Sequence, residues 1–289
     1  MNIEKETELI NILQTIFPES KRNTLRKMLT QGRVVVDEKV IFKAKEIIHP
    51  GSVVIVSDKE TANKTHPPPK PKKTHLRIKI LFEDKHIIVL NKQAGLLSVA
   101  TDKLEPDTLH SRCVEYLKSN DEKAWAYIVH RLDRETSGVM ILSKEERHKN
   151  YLQEQFANRE IHRTYHALVE GKPTKTSGII HEWLVEDKFL RVRTTSKRTP
   201  NAKEAITHWN IEDSDGTASL IQLTIETGRR HQIRVGLANL GNPVIGDEQH
   251  GAKGNPIGRI ALHATSLELL HPETDDPIRF EAPIPFGPE

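Results

Sequence analysis

Apolar positions in the N-terminal sixty residues occur first at a helical spacing and then in two short runs. The helical positions are three and four residues apart and share one face: Leu25, Met28 and Leu29. Ser20 stands where an N-cap residue would begin this helix, and Gly32 stands where a C′ glycine would end it. The runs 34–36 and 53–56 lie on either side of the turn dipeptide Pro50-Gly51. The pattern predicts a helix followed by two strands.

After residue 77 the apolar runs are short, as is typical of strands. The predicted strands cover residues 78–82, 87–90, 139–142, 164–169, 205–211, 218–226 and 278–281. Ser143 opens a Ser-Lys-Glu-Glu capping box, which predicts a helix that runs through Leu152 and Phe156 and ends near Asn158. Because few helices separate these strands, the pattern favours an α+β domain with a mixed, largely antiparallel sheet over a doubly wound sheet.

A basic, proline-rich segment separates the two regions. It contains Lys64-Thr65-His66-Pro67-Pro68-Pro69-Lys70-Pro71-Lys72-Lys73. Stacked prolines favour an extended spacer and exclude a helix. We therefore predict a small α/β domain at 1–60, a linker at 61–77 and a catalytic domain at 78–289.

The amino-acid composition indicates the class of protein. The chain has 289 residues, is 36% hydrophobic and contains a single cysteine, Cys113. No apolar run approaches the ~20 residues that span a bilayer, and the first residues do not read as a signal peptide. A lone cysteine excludes an internal disulfide and a thiolate-rich zinc site. We expect a cytoplasmic protein without membrane contact, and the lack of a glycine-rich phosphate loop predicts no nucleotide cofactor.

The net charge of +3 is small, so the distribution of charge matters more than the sum. The predicted N-terminal helix and the residue after it carry a cluster of cations: Lys21, Arg22, Arg26, Lys27 and Arg33. Basic side chains on one helix face suit contacts with RNA phosphates. An ordinary solvated helix face is the alternative.

The densest group of reactive side chains lies at residues 130–138, before a predicted strand. Asp133 is flanked by Arg131 and Arg134, which favour its ionised form. Such a carboxylate suits a nucleophile or a base, although a surface loop held by salt bridges is the alternative. A second basic group follows at 227–235, where Arg229, His231, Gln232 and Arg234 suit phosphate and base contacts.

At this point a resemblance becomes specific. The sequence His-Arg-Leu-Asp-Arg-Glu-Thr-Ser-Gly at 130–138 resembles the signature of the RluA-like pseudouridine synthases, which modify ribosomal and transfer RNA. Three further segments are similar to that family in the same order: 82–92, 163–171 and 227–234 with 241–247. The resemblance extends from residue 78 to about 285. The N-terminal pattern resembles the S4 RNA-binding domain, a frequent companion of that family.

The resemblance implies the pseudouridine synthase fold and a reaction that needs no cofactor and no metal. It implies that Asp133 is the nucleophile, that Tyr165 packs on the target base and that Arg234 pairs with Asp133. Arg131 would fill the gap left by the uridine that swings out of the RNA stack. The further predicted RNA contacts are His130, Arg134, Arg229, His231, Gln232, Arg22, Arg26 and Lys27.

Other functions remain open. A non-catalytic RNA-binding or ribosome-assembly protein on the same fold is one. A metal-dependent hydrolase using His162 and His166, or a glycosidase using Asp133 and Glu135, fits less well, because no His-Glu-x-x-His occurs and Glu135 has polar, cationic neighbours. The expected partner is structured RNA, with ribosomal RNA favoured over transfer RNA. Gln93 and Gly236 depart from the family pattern and leave the choice of RNA undetermined.

Overall fold

The computed structural model describes residues 5–58, 78–101, 104–187 and 190–287. The predicted linker lies almost wholly outside these residues, together with Lys70, Lys72 and Lys73. The chain divides into two compact units, 1–76 with 99–108 and 77–98 with 109–289. Nothing in the sequence indicated that the segment 99–108 belongs to the first unit.

The first unit contains two helices and short strands. They are β1 (Thr7–Glu8), α1 (Leu9–Ile16), α2 (Arg22–Thr30), β2 (Val34–Val36), β3 (Lys39–Val40), β4 (Ile47–Ile48) and β5 (Val54–Val56). Strands β3, β2 and β5 form one antiparallel sheet, and β1 pairs with β4. The predicted helix face is confirmed, because Leu25, Met28 and Leu29 are buried in the core of this unit.

Of the two predicted ends of that helix, the C-terminal one is confirmed and the N-terminal one is wrong. Gly32 has a φ of +66° and its backbone N–H donates to the carbonyl of Leu29, as a terminating glycine does. The cap at the start is wrong. Lys21 is the N-cap residue and makes no side-chain capping bond, so Ser20 lies one position too early.

The second unit is built on one large sheet. Its elements are β6 (Lys79–Glu83), β7 (Ile87–Lys92), α3 (Leu109–Asn120), β8 (Tyr127–Ile128), β9 (Ser137–Ser143), α4 (Glu146–Ala157), β10 (His162–Glu170), β11 (Ser177–Glu186), β12 (Val192–Thr195), β13 (Lys203–Ser214), β14 (Ala218–Ile225), α5 (Gln232–Asn239), β15 (Leu262–Leu270) and β16 (Pro277–Glu281). The sheet has 11 strands in the order β12-β11-β13-β14-β10-β15-β9-β7-β6, with β16 beside β15 and β8 beside β9. This is the mixed, largely antiparallel α+β architecture that the sequence predicted.

Both faces of the sheet are covered near its middle, which explains the continuous apolar runs. Along β7, Ile88 and Leu90 face a core shared with α3 and α5, whereas Ile87 and Val89 face a second core with α4. A strand that is buried on both faces loses the alternation of apolar and polar residues.

Strands β9 and β15 form the parallel pair of the sheet. Gly138 begins this contact with a φ of +117°, and a Cβ there would lie 2.1 Å from the carbonyl oxygen of Ala264. Only glycine allows this approach. The pair fixes the start of β9 and therefore the end of the loop that carries Asp133.

The helix predicted after residue 143 is present, but Ser143 is not its N-cap residue. It begins at Glu146 with Glu145 as N-cap residue, and no side chain caps it. Ser143 belongs to β9 and accepts a hydrogen bond from the backbone of Glu145 at 3.1 Å. The described residues contain no helix that is long and apolar enough to cross a bilayer.

Candidate active site

A short segment after β7 clamps the loop that carries Asp133. The ammonium of Lys92 donates to the carbonyls of Gln93, Leu96 and Arg134 at 3.1, 2.6 and 2.9 Å. The Ser98 hydroxyl donates to the carbonyl of Leu132 at 2.7 Å and accepts from its N–H at 3.1 Å. These bonds hold the backbone on both sides of Asp133.

Lys92 is fully buried, which is rare for lysine. Burial lowers the pKa of Lys92 to about 7, and the nearby carboxylates of Glu135 and Asp133 act in the opposite direction. The three carbonyls use all three protons of the ammonium and favour its charged form. The charge of Lys92 therefore contributes to the architecture of the loop.

Asp133 lies at the edge of the site with 27% of its side chain exposed. Its Oδ2 is 3.7 Å from Nη1 of Arg234 and 3.9 Å from Nε2 of His231. The structure thus brings together three of the residues that the sequence singled out, one from the 130–138 loop and two from the start of helix α5, about a hundred positions further along the chain. The partly exposed carboxylate faces a guanidinium and remains open to a substrate.

The shorter contacts of Arg234 are with another carboxylate. Its Nε and Nη2 donate to the two oxygens of Asp247 at 2.6 and 2.7 Å, and both side chains are buried, at 5% and 0% exposure. This bidentate pair fixes the plane of the guanidinium. The expected pairing of Arg234 with Asp133 is therefore a longer contact, made by the nitrogen that Asp247 leaves unused.

His231 begins helix α5 with a φ of +54°, in the left-handed region. Its Nδ1 is 3.1 Å from Nε2 of His250, so one ring must donate to the other. Burial lowers the pKa of His231 to about 4, against the attraction of Asp133. The imidazole is therefore neutral near neutral pH and adds no positive charge beside Asp133.

Tyr165 lies in β10 and is buried. Burial raises the pKa of the Tyr165 phenol, Asp133 raises it further, and Arg163 opposes both. The phenol is therefore neutral near neutral pH. An aromatic ring close enough to feel the charge of Asp133 is suited to pack against a base held at that carboxylate.

The predicted RNA contacts fall into two groups. Arg131, Arg134 and Arg229 are exposed around the site. Arg134 donates to the carbonyl of Gly95 at 2.9 Å, and Arg229 donates to the carbonyl of Glu204 at 3.0 Å. Both retain guanidinium nitrogens for a ligand.

His130 and Gln232 lie within the scaffold instead. The His130 ring stacks on Phe156, its Nε2 accepts a hydrogen bond from the backbone of Ile141, and burial lowers its pKa to about 3. The Gln232 amide bonds to Thr227, Thr207 and the backbone around them. Because their polar atoms are used inside the protein, these two side chains position the loops and do not offer those atoms to RNA.

The basic residues of the first unit can be described only within that unit. Arg22 and Lys27 are exposed on α2, and Arg26 is half-buried. Arg22 donates to the Asn11 side chain at 2.7 Å, whereas Arg33 donates to the carbonyl of Ser57 at 2.8 Å. Within the predicted cluster of cations, the exposed members are thus Lys21, Arg22 and Lys27.

Three residues of the site were not assigned a role from the sequence: Lys92, Asp247 and His250. Asp247 and Lys92 stand within two of the family-like segments, at 241–247 and 82–92, which was the available signal. His250 lies outside both segments and was not part of any predicted site.

A cavity of about 430 Å³ is lined by Lys92, Ser137, Arg259 and His263 among others. The Ser137 hydroxyl accepts from Arg259 at 2.6 Å and lies 2.7 Å from Nδ1 of His263. The contact between Ser137 and His263 joins β9 to β15 where the Asp133 loop ends.

Comparisons with known proteins identify the family. Residues 86–239 match the family model described as RNA pseudouridylate synthase. The chain is 31% identical over 280 residues to the uncharacterized RNA pseudouridine synthase YhcT of Bacillus subtilis, covering 96% of this chain and 89% of the relative. It is 32% identical over 289 residues to ribosomal large subunit pseudouridine synthase D of Escherichia coli K12, covering 94% and 86%. The solved structure of human RNA pseudouridylate synthase domain containing 4 shares the fold, with a TM-score of 0.61 at 24% identity, covering 72% of this chain and 88% of that one.

Proposed function

The chain belongs to the RNA pseudouridylate synthase family, whose members are isomerases, and we propose that it isomerises uridines of structured RNA with Asp133 as nucleophile. The reaction breaks the N1–C1′ bond, turns the uracil and forms the C5–C1′ bond. The proton on C5 then leaves and N1 takes up a proton. No redox change and no group donor is needed. One observation carries the assignment. The partly exposed carboxylate of Asp133, on the loop clamped by Lys92 and Ser98, lies 3.7 Å from the buried guanidinium of Arg234.

The charges around Asp133 support this role. Arg234 stabilises the anion, and the bond to Asp247 keeps the guanidinium in place. The neutral His231 does not protonate the nucleophile. The partly exposed carboxylate of Asp133 thus faces a fixed positive charge and an open site, which suits attack on the sugar or the base.

The remaining residues serve the extruded base. A uridine must leave its helix before Asp133 reaches it, which costs a few kcal/mol. We infer that Tyr165 stacks on the uracil and that the exposed Arg131 fills the gap in the RNA stack. Arg134 and Arg229 would hold the phosphates on either side.

Ribosomal RNA is the substrate we favour. Relatives at 31–32% identity, which align over 94–95% of this chain, are named ribosomal large subunit pseudouridine synthase D. Ribosomal RNA is a cytoplasmic substrate, and a chain whose single cysteine, Cys113, is buried and forms no internal disulfide suits a reducing compartment. Transfer RNA is the alternative substrate.

The proposal is tested by incubating the pure protein with unmodified ribosomal and transfer RNA transcripts and mapping pseudouridine chemically. We expect modification of specific uridines in ribosomal RNA. Modification of transfer RNA alone would change the substrate. Binding without product on either RNA would favour a non-catalytic RNA-binding protein on the same fold.

A substitution at Tyr165 separates stacking from proton transfer. We expect Tyr165→Phe to bind RNA within about twofold of the parent, because the ring still stacks. If the hydroxyl assists loss of the C5 proton, product formation falls about a hundredfold. Release of tritium from C5-labelled uridine measures that step.

Tyr127→Phe, a half-buried tyrosine in β8, is the matched control and should behave as the parent. Unchanged tritium release by Tyr165→Phe would restrict Tyr165 to stacking. Lost RNA binding would show that the hydroxyl acts in binding and not in chemistry.

We propose further that residues 1–60 act as an S4-like RNA-binding domain. The exposed cations Lys21, Arg22 and Lys27 lie on or next to α2 and are the candidates for phosphate contacts. Each contact that is lost lowers the slope of log affinity against log salt by about 0.7 to 0.9. The triple alanine variant should therefore flatten the slope by about 2.

The measurement is a salt titration of binding to a long structured RNA. The control variant replaces Lys123, Lys172 and Lys175 by alanine, which removes the same charge from exposed positions of the second unit. Equal slopes for the two variants would make α2 an ordinary solvated helix.

A further inference from the structure

Two histidines and a glutamate meet at the opposite end of β7 and β9 from Asp133. His86 precedes β7, Glu145 is the N-cap residue of α4, and His148 lies in the first turn of that helix. One ligand atom from each lies within 4.8 Å of the other two. With seven residues in β9, the cluster is roughly 20 Å from the Asp133 loop. We propose that these three side chains form a structural zinc site, with water as the fourth ligand.

The first support is a pair of buried nitrogens that hydrogen bonds leave unsatisfied. Nδ1 of His86 and Nδ1 of His148 are both buried, and neither makes a hydrogen bond within the described part of the chain. Leaving a buried polar atom unpaired costs about 1–3 kcal/mol. Both nitrogens face one carboxylate, at 3.4 Å from Oε1 and 3.9 Å from Oε2 of Glu145. An ion among the three would satisfy both rings at once.

The second support is the spacing of the ligand atoms. Nitrogen and oxygen ligands bind zinc at about 2.0–2.1 Å, which places tetrahedral ligands roughly 3.3 Å from one another. The contact of 3.4 Å between His86 and Glu145 already has this length, and the largest separation is below 4.8 Å. Small side-chain rotations would close the remainder. Imidazole nitrogens and carboxylate oxygens are both among the ligands that bind zinc in proteins.

The third support is the tautomer of His148. Its Nε2 is 2.9 Å from Oε2 of Glu273. Because a carboxylate only accepts, Nε2 carries a proton, and in the neutral ring, which is the form that binds metal, the lone pair of Nδ1 points to the cluster. A carboxylate on the outer nitrogen of a histidine ligand is the usual arrangement around protein-bound zinc. Glu273 would therefore orient His148 without touching the ion.

The neighbouring groups are consistent with three protein ligands. The His271 ring is 5.9 Å from that of His86, but its Nε2 bonds to Asp84 at 2.8 Å and its Nδ1 faces backbone N–H groups. Arg147 donates to Oε2 of Glu145 at 2.9 Å and to Glu273 at 3.0 Å. This leaves Oε1 of Glu145 directed to His86.

The zinc would join separate parts of the second unit. His86 belongs to the turn between β6 and β7, the other two ligands belong to the start of α4, and Glu273 lies in the turn after β15. An ion here would stabilise that end of the sheet and take no part in chemistry at Asp133. The lone cysteine and the family resemblance led us to expect no metal, and residues 86, 145 and 148 were not among the candidate ligands.

The test uses full-length protein stripped with a chelator and titrated with Zn²⁺ by calorimetry. We expect one ion per chain with a Kd in the micromolar range or below, and a Tm raised by roughly 5 °C at saturation. Glu145→Gln and His86→Asn should each weaken binding at least about tenfold, and Glu273→Gln by about 10 to 100-fold. His181→Asn, an exposed histidine in β11 that also bonds a glutamate, should bind zinc as the parent does.

Turnover and the Tm of the metal-free variants serve as controls for folding, and both should match the parent. Absence of saturable binding to the parent at millimolar Zn²⁺ would overturn the site. So would parental affinity in both Glu145→Gln and His86→Asn. Loss of binding in His250→Asn, with normal binding in those two variants, would place the ion at the His231–His250 pair and overturn the site equally.

Discussion

Asp133→Asn is expected to abolish pseudouridine formation, with turnover reduced by at least about a thousandfold. Asparagine has the shape of aspartate but lacks the charge, so the variant loses the nucleophile and little else. The backbone of the loop is held by Lys92 and Ser98 through carbonyls, which the substitution does not touch. Arg234 keeps its bond to Asp247. The fold and the affinity for RNA should therefore be nearly unchanged.

Product mapping, RNA binding and thermal unfolding are measured together on the pure variant. Glu135→Gln is the matched control, because Glu135 stands two positions away and its salt bridge to Arg134, at 3.8 Å, is exposed. That variant should keep most of the activity. Substantial turnover by Asp133→Asn would refute the assignment of Asp133 as nucleophile, and equal losses in both variants would point to a general effect of charge on RNA binding.

Asp247→Asn should lower both stability and activity, although Asp247 does not contact Asp133. The substitution leaves the guanidinium of Arg234 buried without its carboxylate. Breaking a buried pair in this way costs about 3–5 kcal/mol, which corresponds to a fall in Tm of roughly 10 °C. Once released from Asp247, the guanidinium is no longer fixed 3.7 Å from Asp133, so turnover should fall even below the new Tm.

The measurements are thermal unfolding and turnover at a temperature where the variant is fully folded. Glu248→Gln is the control, because Glu248 is the next residue, is exposed and should tolerate the change. An unaltered Tm for Asp247→Asn would mean that the pair contributes no stability. A lowered Tm with normal turnover would mean that Asp247 supports the fold without positioning Arg234 for the reaction.

The apolar pattern predicted seven of the 11 strands of the second unit and missed β8, β11, β12 and β15. Strand β15 shows one reason. The run Leu262–Leu270 contains His263, Thr265 and Ser266, which interrupt the pattern. His263 is nevertheless buried and bonds to Ser137 across the parallel pair with β9. The Thr265 hydroxyl bonds to the His166 ring at 2.6 Å. Tertiary partners satisfy polar atoms that a pattern of hydrophobicity counts against a strand.

Helix α5 was missed for a related reason. Its buried residues include Gln232 and Arg234, polar side chains that one would place on a solvated face. Their hydrogen bonds to Thr227, Thr207 and Asp247 make burial favourable, and these partners come from other strands and turns. A helix of this kind has no apolar stripe that a sequence could display.

The identity of the reactive groups was available in the chain of amino acids. The carboxylate of Asp133 between two arginines and the basic segment at 227–235 stood out from residue types and spacing, and the tyrosine of β10 was named from the family resemblance. Local chemistry of this kind needs no fold, because it depends on which functional groups stand near one another along the backbone.

Pairing between distant residues required the folded chain. Arg234 bonds most closely to Asp247 and not to Asp133, Lys92 bonds to the backbone of the Asp133 loop, and His86 meets Glu145 and His148. Each contact depends on strand register and on turns that bring separate segments within a few ångströms, where a displacement of 1 Å decides whether a bond forms. The residue type determines which groups a side chain is able to bind. The packing of β7, β9 and β15 determines which of several chemically equivalent groups is its partner.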